Sequence, residues 1–333
     1  MFGVLLSTLL FSCASAYFNE SSHHWTLFQN FMKKHDKRYE SLNELTERFE
    51  IFLENLHFVE KENSNNNHYK LGITKFSDLT SHEFSQFFNE RLTLPFGSPC
   101  NSFVSSTSNL PDEIDWRSKN AVTDVKDQGQ CGSCWSFSTT GAVEGAWAVS
   151  KSKLVSLSEQ ELVDCAGGRP YGNHGCNGGL MDGAFQYIID NNGICSEDEY
   201  PYVSGETKSS GDCNKDCSPV ATLSSCVDVT PNNQLHLKES VSMNPVSVAI
   251  QADSRVFQLY KDGVITSDAC GTQLDHGVLV VGYGSEDNVD FWLVKNSWSE
   301  TWGDNGYVKI ERTDSTNDPG ICGIAMQPSY PVV

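Results

Sequence analysis

Basic residues are scarce in this chain: 23 Lys plus Arg stand against 43 Asp plus Glu, a formal net charge of −20. Binding a phosphate backbone needs clustered cations, so the balance argues against a nucleic-acid partner. No stretch after the amino terminus reaches the ~18 consecutive apolar residues of a membrane span. A soluble mature protein is therefore expected. No internal repeat is visible, which argues against a solenoid or array. The first 16 residues, MFGVLLSTLLFSCASA, lack the usual Lys or Arg ahead of their apolar run. They nevertheless end in Ala14-Ser15-Ala16, the small-x-small pattern of a secretory signal cut after Ala16. Asn19-Glu20-Ser21 is a glycosylation acceptor just beyond that cut, consistent with entry into the secretory pathway.

What is present in quantity is cysteine. Twelve in 333 residues are too many for a cytosolic protein and read as disulfides. Ten lie between Cys131 and Cys322, so setting one aside as a nucleophile leaves nine, which implies a further free thiol or an unusual pairing.

Along the chain, residues 21 to about 92 are helical in character and carry Phe28, Phe31, Phe49, Phe52 and Phe58. PFGSPCNSFVSSTSN (95–109) has no charge and no regular period, and reads as an exposed, cleavable linker. Before Leu110 there are 12 acidic and 9 basic residues, and from Leu110 onward 31 and 14. A near-neutral helical unit thus precedes a strongly acidic body. In the body, CWSFSTTGAVEGAWAV (134–149) is apolar on most faces and predicts a buried helix. SLSEQELVDC carries a capping box, Ser158 to Glu161, and LMDGAFQYIIDNNG is a helix closed by Gly193. After residue 220, PVSVAIQA, HGVLVVGYG, DFWLVKNSW and GYVKIERT are short Val- and Ile-rich runs that predict strands. Helices first and strands later indicate an α+β protein of two subdomains.

Chemistry centres on DQGQCGSCWSF (127–137). A zinc site needs four ligands in closed spacing, yet no second Cys-x-x-Cys lies near Cys131 and Cys134, and Cys213 and Cys217 are separated by three residues. A thioredoxin-like pair belongs in a βαβ pattern, which is absent here. The remaining reading puts Cys134 at the first turn of a buried helix, where the macrodipole and free N–H groups stabilise a thiolate. Its base must be one of the body's three histidines, His174, His236 and His276. His276 begins an apolar strand and suits that role. Asn296, flanked by Trp292, Trp298 and Trp302, is placed to orient the far ring nitrogen and be screened from water.

With these residues in hand, the sequence resembles the papain-like cysteine proteases, most closely the cathepsin L branch. The Cys-Gly-Ser-Cys-Trp signature with a downstream His and Asn belongs to that family, and the resemblance runs from residue 25 to 333. It implies a papain-like fold: a helical left subdomain with a central buried helix, a β-barrel-like right subdomain, and a cleft between. It implies three segments, a signal peptide (1–16), an inhibitory propeptide (17–109) and a peptidase domain (110–333). Cys134 is then the nucleophile, His276 the general acid and base, Asn296 its orienting residue, and Gln128 an oxyanion-hole donor. Gly178 and Gly179 match the glycine pair alongside which substrate backbone lies, and Trp298 the indole over the His–Asn contact. Leu180, Met181, Ala249, Leu274, Asp275 and Gln327 match the substrate-binding residues, with Gln327 at the floor of the main selectivity pocket. That set predicts a hydrophobic residue at P2.

The resemblance further implies disulfides Cys131–Cys176 and Cys270–Cys322, with Cys165 joined to Cys213 or Cys217 and the neighbouring YPYVSGE favouring Cys213. It leaves Cys100, Cys195 and Cys226 unassigned. Glu44, Arg48, Phe52, Asn55, Val59 and Asn63 fall on the spacing of the propeptide's long-helix motif, and Gly72, Phe76 and Asp78 on the next, with Val59 and Thr74 as departures. The expected partners are protein and peptide substrates, the chain's own propeptide and cystatin-type inhibitors, for a monomer with no metal or cofactor, in an acidic vesicle such as a lysosome or secreted. Six of the nine histidines (His23, His24, His35, His57, His68, His82) lie in the proregion, where their protonation near pH ~6.5 offers one acid trigger, the alternative being protonation of carboxylates at the contact between proregion and body. The competing class is a catalytically inactive papain-like binding protein.

Overall fold

The computed structural model describes residues 22–65, 68–88, 97–106, 109–214, 216–266 and 269–333. The signal-peptide cut and the Asn19 acceptor lie outside the described residues. Two helices open the described chain, α1 (22–34) and α2 (Leu42–Asn65). On α2 the buried side chains are Phe52, Asn55 and Val59, three and four residues apart and so on one face. Phe52 joins Phe28 and Phe31 of α1 in a small aromatic core of their own.

Strand β1 (Tyr69–Leu71) and helix α3 (Ser81–Ser85) follow. The α2 side chains read as a propeptide motif hold this second stretch in place. Asn55 donates to the carbonyls of Ser77 and Leu79, Arg48 to the carboxylate of Glu83, and Asn63 to the carbonyl of Leu71. Lys37 and Tyr39 meet the buried carboxylate of Asp78 at 2.8 and 3.0 Å. Thr74, a departure from the motif, donates its hydroxyl to the carbonyl of Gln258 at 2.8 Å and so ties this unit to the body.

After β2 (Asn101–Ser102) and β3 (Ile114–Asp115) comes the helical lobe: α4 (Cys134–Lys151), α5 (Glu159–Cys165), α6 (Met181–Asp190) and the short α7 (Ser204–Thr207). As its composition predicts, α4 is buried from Cys134 through Ala146 on every face. Only half of the expected capping box forms on α5. The Ser158 hydroxyl accepts from the Glu161 N–H, but the Glu161 carboxylate turns away to Tyr187, Asn191 and the Cys195 N–H. It is consumed in joining α5 to α6 and to the segment that follows, where a buried carboxylate must find partners.

The second lobe holds β4 (Ser225–Asp228), α8 (Gln234–Met243), β5 (Val246–Ile250), α9 (Arg255–Gln258), β6 (Tyr260–Ile265), β7 (His276–Glu286), β8 (Val289–Lys295), β9 (Tyr307–Glu311), a 3₁₀ turn (Ile321–Gly323) and β10 (Ser329–Val332). The strands run in the order β1-β6-β9-β8-β7-β5-β10-β4-β2, with β3 on β7, as an open path. Both end strands come from the first 109 residues. β5 is buried at all five positions and β7 at its first nine, which explains their unbroken apolar runs. One apolar core fills this lobe and a second fills the helical lobe.

Candidate active site

Cys134 is the first residue of α4, and Ser133 before it spends its hydroxyl on Tyr202 rather than on the helix end. The first-turn N–H groups therefore remain aimed at the sulfur's neighbourhood. His276 is the first residue of β7, paired with Ile250 of β5. The next residue, Gly277, donates its N–H to Cys134 Sγ at 3.3 Å, which joins the start of β7 to the start of α4. The antiparallel β7–β8 pair then returns the chain to Asn296, whose Oδ1 lies 2.8 Å from His276 Nε2. That oxygen also accepts from the Ser297 N–H at 2.8 Å, which fixes the amide's orientation.

Trp298 stacks on the His276 imidazole, ring centroids 4.8 Å apart, and Trp302 stands edge-on behind it. Trp292 is not part of this screen. Its indole donates to Gln234 and packs edge-on to Tyr283. Gln128 is buried next to the cleft, with Oε1 accepting from the Ser297 hydroxyl at 2.7 Å and Nε2 donating to the Cys131 carbonyl at 3.0 Å. A carboxamide nitrogen carries two hydrogens, so one remains for a further acceptor.

Gly178 has φ +103°, a conformation closed to most side chains, and a Cβ on Gly179 would lie 2.5 Å from Asn173 Oδ1. Leu180, Met181, Ala249 and Leu274 come together in the helical lobe's apolar cluster. Gln327 is half-buried. Asp275 is turned onto backbone, accepting from the Ala252 N–H at 2.8 Å, and burial pushes its carboxyl up to about 7. The other two histidines of the body are engaged elsewhere: His236 pairs with Thr230 beside α8, and the backbone N–H of His174 donates to the carbonyl of Gly178.

The amino-terminal unit covers the pair. Phe88 lies edge-on to His276, and Phe76, Phe84 and Phe88 all meet Trp298. Lys75 bridges to Asp127 at 2.7 Å, and Gln258 donates to the carbonyls of Phe76 and Leu79. Under this cover, burial pushes the Cys134 thiol up to about 11, opposed by the Gly277 N–H. The same burial holds His276 down at about 4, opposed by its bond to Asn296. The thiolate expected from the helix terminus is therefore suppressed in the covered state.

Among the described residues five disulfides are formed: Cys131–Cys176, Cys165–Cys213, Cys270–Cys322, Cys195–Cys217 and Cys100–Cys226. Cys134 is the free cysteine among the described residues. The odd cysteine implied by counting from Cys131 onward is resolved by Cys100, in the segment read as a linker. Also unforeseen is a buried charge cluster beneath the site, in which Lys126 bridges Glu144 and Glu159 at 3.1 and 2.6 Å. Its members are far apart in sequence and no motif connects them.

A free, buried thiol at a helix start, beside an imidazole held by an amide, is the constellation of nucleophilic acyl transfer. Residues 110–332 match the model of the papain family cysteine proteases, and residues 28–84 match the cathepsin propeptide inhibitor domain. The chain belongs to the papain family and carries the inhibitor domain ahead of its protease domain. It is 46% identical over 312 residues to "Probable cysteine protease RD21B" of Arabidopsis thaliana, covering 92% of this chain and 66% of that protein. It is 45% identical to "KDEL-tailed cysteine endopeptidase CEP2" of the same plant, covering 92% and 85%. Digestive procathepsin L 3 of the Tenebrio molitor larval midgut superposes with a TM-score of 0.83 at 40% identity, over 93% of this chain and 99% of that one. No described helix is long and apolar enough to cross a membrane.

Proposed function

We propose that the protein is a cysteine endopeptidase, made as an inhibited precursor, that hydrolyses peptide bonds through an acyl-enzyme on Cys134. The observation that carries this reading is the His276–Asn296 bond of 2.8 Å beside a sulfur held by the Gly277 N–H. Once the cleft is open, water and substrate reach the pair and a proton passes from Cys134 to His276. The thiolate attacks the scissile carbonyl carbon, and the Gln128 side chain and the Cys134 N–H receive the developing oxyanion. The imidazolium gives its proton to the leaving amine. Water then attacks the thioester, His276 takes its proton, and the acid product leaves as the thiol is restored. Asn296 keeps the imidazole in one orientation throughout, and Trp298 covers their bond.

Gly178 and Gly179 admit the substrate backbone. Leu180, Met181, Ala249 and Leu274, with Asp275 at the rim and neutral Gln327 at the floor, select Leu, Phe or Val at P2 over Arg. The enzyme works as a monomer, meets cystatin-type inhibitors at the same cleft, and passes through the secretory pathway to an acidic vesicle or the cell exterior. Its disulfides support that route.

The test compares wild-type precursor with Cys134→Ala after exposure to mild acid and thiol reductant, using Phe-Arg and Arg-Arg reporter peptides. Loss of the proregion and thiol-dependent cleavage of Phe-Arg over Arg-Arg, in wild type alone, is the expected result. A folded, processed wild type no more active than Cys134→Ala would instead make this a binding protein.

A further inference from the structure

Both ends of the strand path are capped by residues from before Leu110, but they are fastened differently. β1 pairs with β6 through backbone hydrogen bonds, and the residues that follow it lead to Phe88 over the catalytic pair. β2 pairs in parallel with β4, Asn101 opposite Val227 and Ser102 opposite Asp228, and Cys100 immediately before it is bonded to Cys226 inside β4. The same short segment reaches three elements of the body. The Ser98 hydroxyl meets the Asp182 carboxylate on α6 at 3.4 Å, and the Phe103 N–H donates to the Asp228 carbonyl at 2.9 Å. The Ser105 hydroxyl and the Ser106 N–H both donate to Glu239 of α8, at 2.6 and 2.7 Å, and Phe103 lies against the His236 ring. None of these partners is Cys134, His276, Asn296 or Gln128. The segment therefore occupies the body without obstructing the cleft.

We infer that residues 97–106 are part of the working enzyme, a strap retained through Cys100–Cys226 when the inhibitory unit that carries Phe88 departs. A cut on the carboxyl side of Cys100 alone, such as at Asn109–Leu110, would leave the inhibitor attached by a covalent bond. Its effective concentration at the cleft would stay high and inhibition would persist. The cut that frees the cleft falls on the amino-terminal side of Cys100. The strap also serves specificity: Asp182 follows Leu180 and Met181 directly, so the Ser98 contact braces the turn that lines the proposed P2 pocket.

The experiment activates the full-length precursor at mildly acidic pH without reductant, alkylates it with iodoacetamide, and maps tryptic peptides before and after reduction. In most molecules the Cys100 peptide should be found joined to the Cys226 peptide, with the mature amino terminus on the amino side of Cys100. A mature protein that has lost residues 97–106, with Cys226 carbamidomethylated, overturns the proposal. Because the readout is covalent, limited pepsin digestion of the Cys134→Ala precursor gives the same test without self-processing. Failure of the catalytic reading and failure of strap retention are thus separately visible.

Discussion

Phe88 stands edge-on to His276, ring centroids 5.5 Å apart and planes at 82°, so an aromatic side chain of the inhibitory unit touches the imidazole proposed as general acid and base. Phe88→Ala removes this contact and part of the Trp298 cover. The loss of about 1–2 kcal/mol expected of an aromatic anchor corresponds to a ~5–30-fold weaker hold on the cleft. Precursor activity on a Phe-Arg reporter at neutral pH, before any cut, should rise by that factor.

The covered thiol is held at about 11 and the covered imidazole at about 4, both by burial. Neither carries charge near neutrality while the cover is in place. Uncovering restores water to both, and the helix terminus and Gly277 N–H then favour the thiolate. Since only the thiolate is nucleophilic, alkylation of Cys134 by iodoacetamide near pH ~6 should be at least ~100-fold faster in the activated enzyme than in the precursor. Equal rates would show that the cover does not control ionisation.

Gln128 is tied to both Ser297 and Cys131. Gln128→Ala should lower kcat by ~10²–10³ with little change in KM, as loss of an oxyanion donor does. Ser297→Ala leaves the amide in place, held by Cys131 alone, and its kcat should fall by less than about tenfold. If both substitutions cost the same, Gln128 acts through packing rather than through the oxyanion.

His35, in the proregion, is half-buried against Phe31, its Nε2 has no hydrogen-bond partner among the described residues, and it is held down at about 4. Burial is the main cause, followed by Lys34 and Lys37, with Asp78 opposing and Lys75 adding to the effect. A histidine depressed in the folded state adds stability that is complete above its ordinary value of ~6.5 and lost as pH falls toward about 4. Acid therefore loosens this unit. His35→Phe keeps the ring and removes the titration, so the midpoint of self-activation should move to lower pH. An unchanged midpoint assigns the trigger to other groups.

Gln327 is the neutral floor proposed for the P2 pocket. Gln327→Glu supplies a carboxylate that a P2 Arg can meet with charge-assisted hydrogen bonds. The ratio of kcat/KM for Arg-Arg over Phe-Arg reporters should rise at least ~10-fold, or about 1.4 kcal/mol of discrimination. No change in the ratio would place the floor elsewhere.

What could be read from the chain depended on the range of the interaction. The apolar run behind Cys134 and the strand runs from Val246 to Glu311 are local patterns, and each became an element, whereas Cys134, His276 and Asn296 are distant in sequence and were brought together only by the family resemblance. The signal failed where a side chain had a distant competitor. Glu161 gave up its half of a capping box to α6, and Trp292 left the screen for Tyr283 and Gln234. Cys100 found a partner 126 residues away, which turned a segment of linker composition into a strand. Counting cysteines from Cys100 rather than from Cys131 would have restored an even number and pointed to it.

When the inhibitory unit leaves, β6 loses β1 and becomes the outermost strand on that side. An uncovered strand edge is a template on which another chain can add, and proteins guard such edges with charge and local distortion. Lys261 and Asp262 are exposed on β6 beside Gly263, whose φ is +82°, and the β1 pairing shifts register between Lys70 and Leu71. The inhibitor thus covers this edge until it leaves, and the edge then uncovered carries the charge and distortion that suit it poorly to recruiting a second molecule.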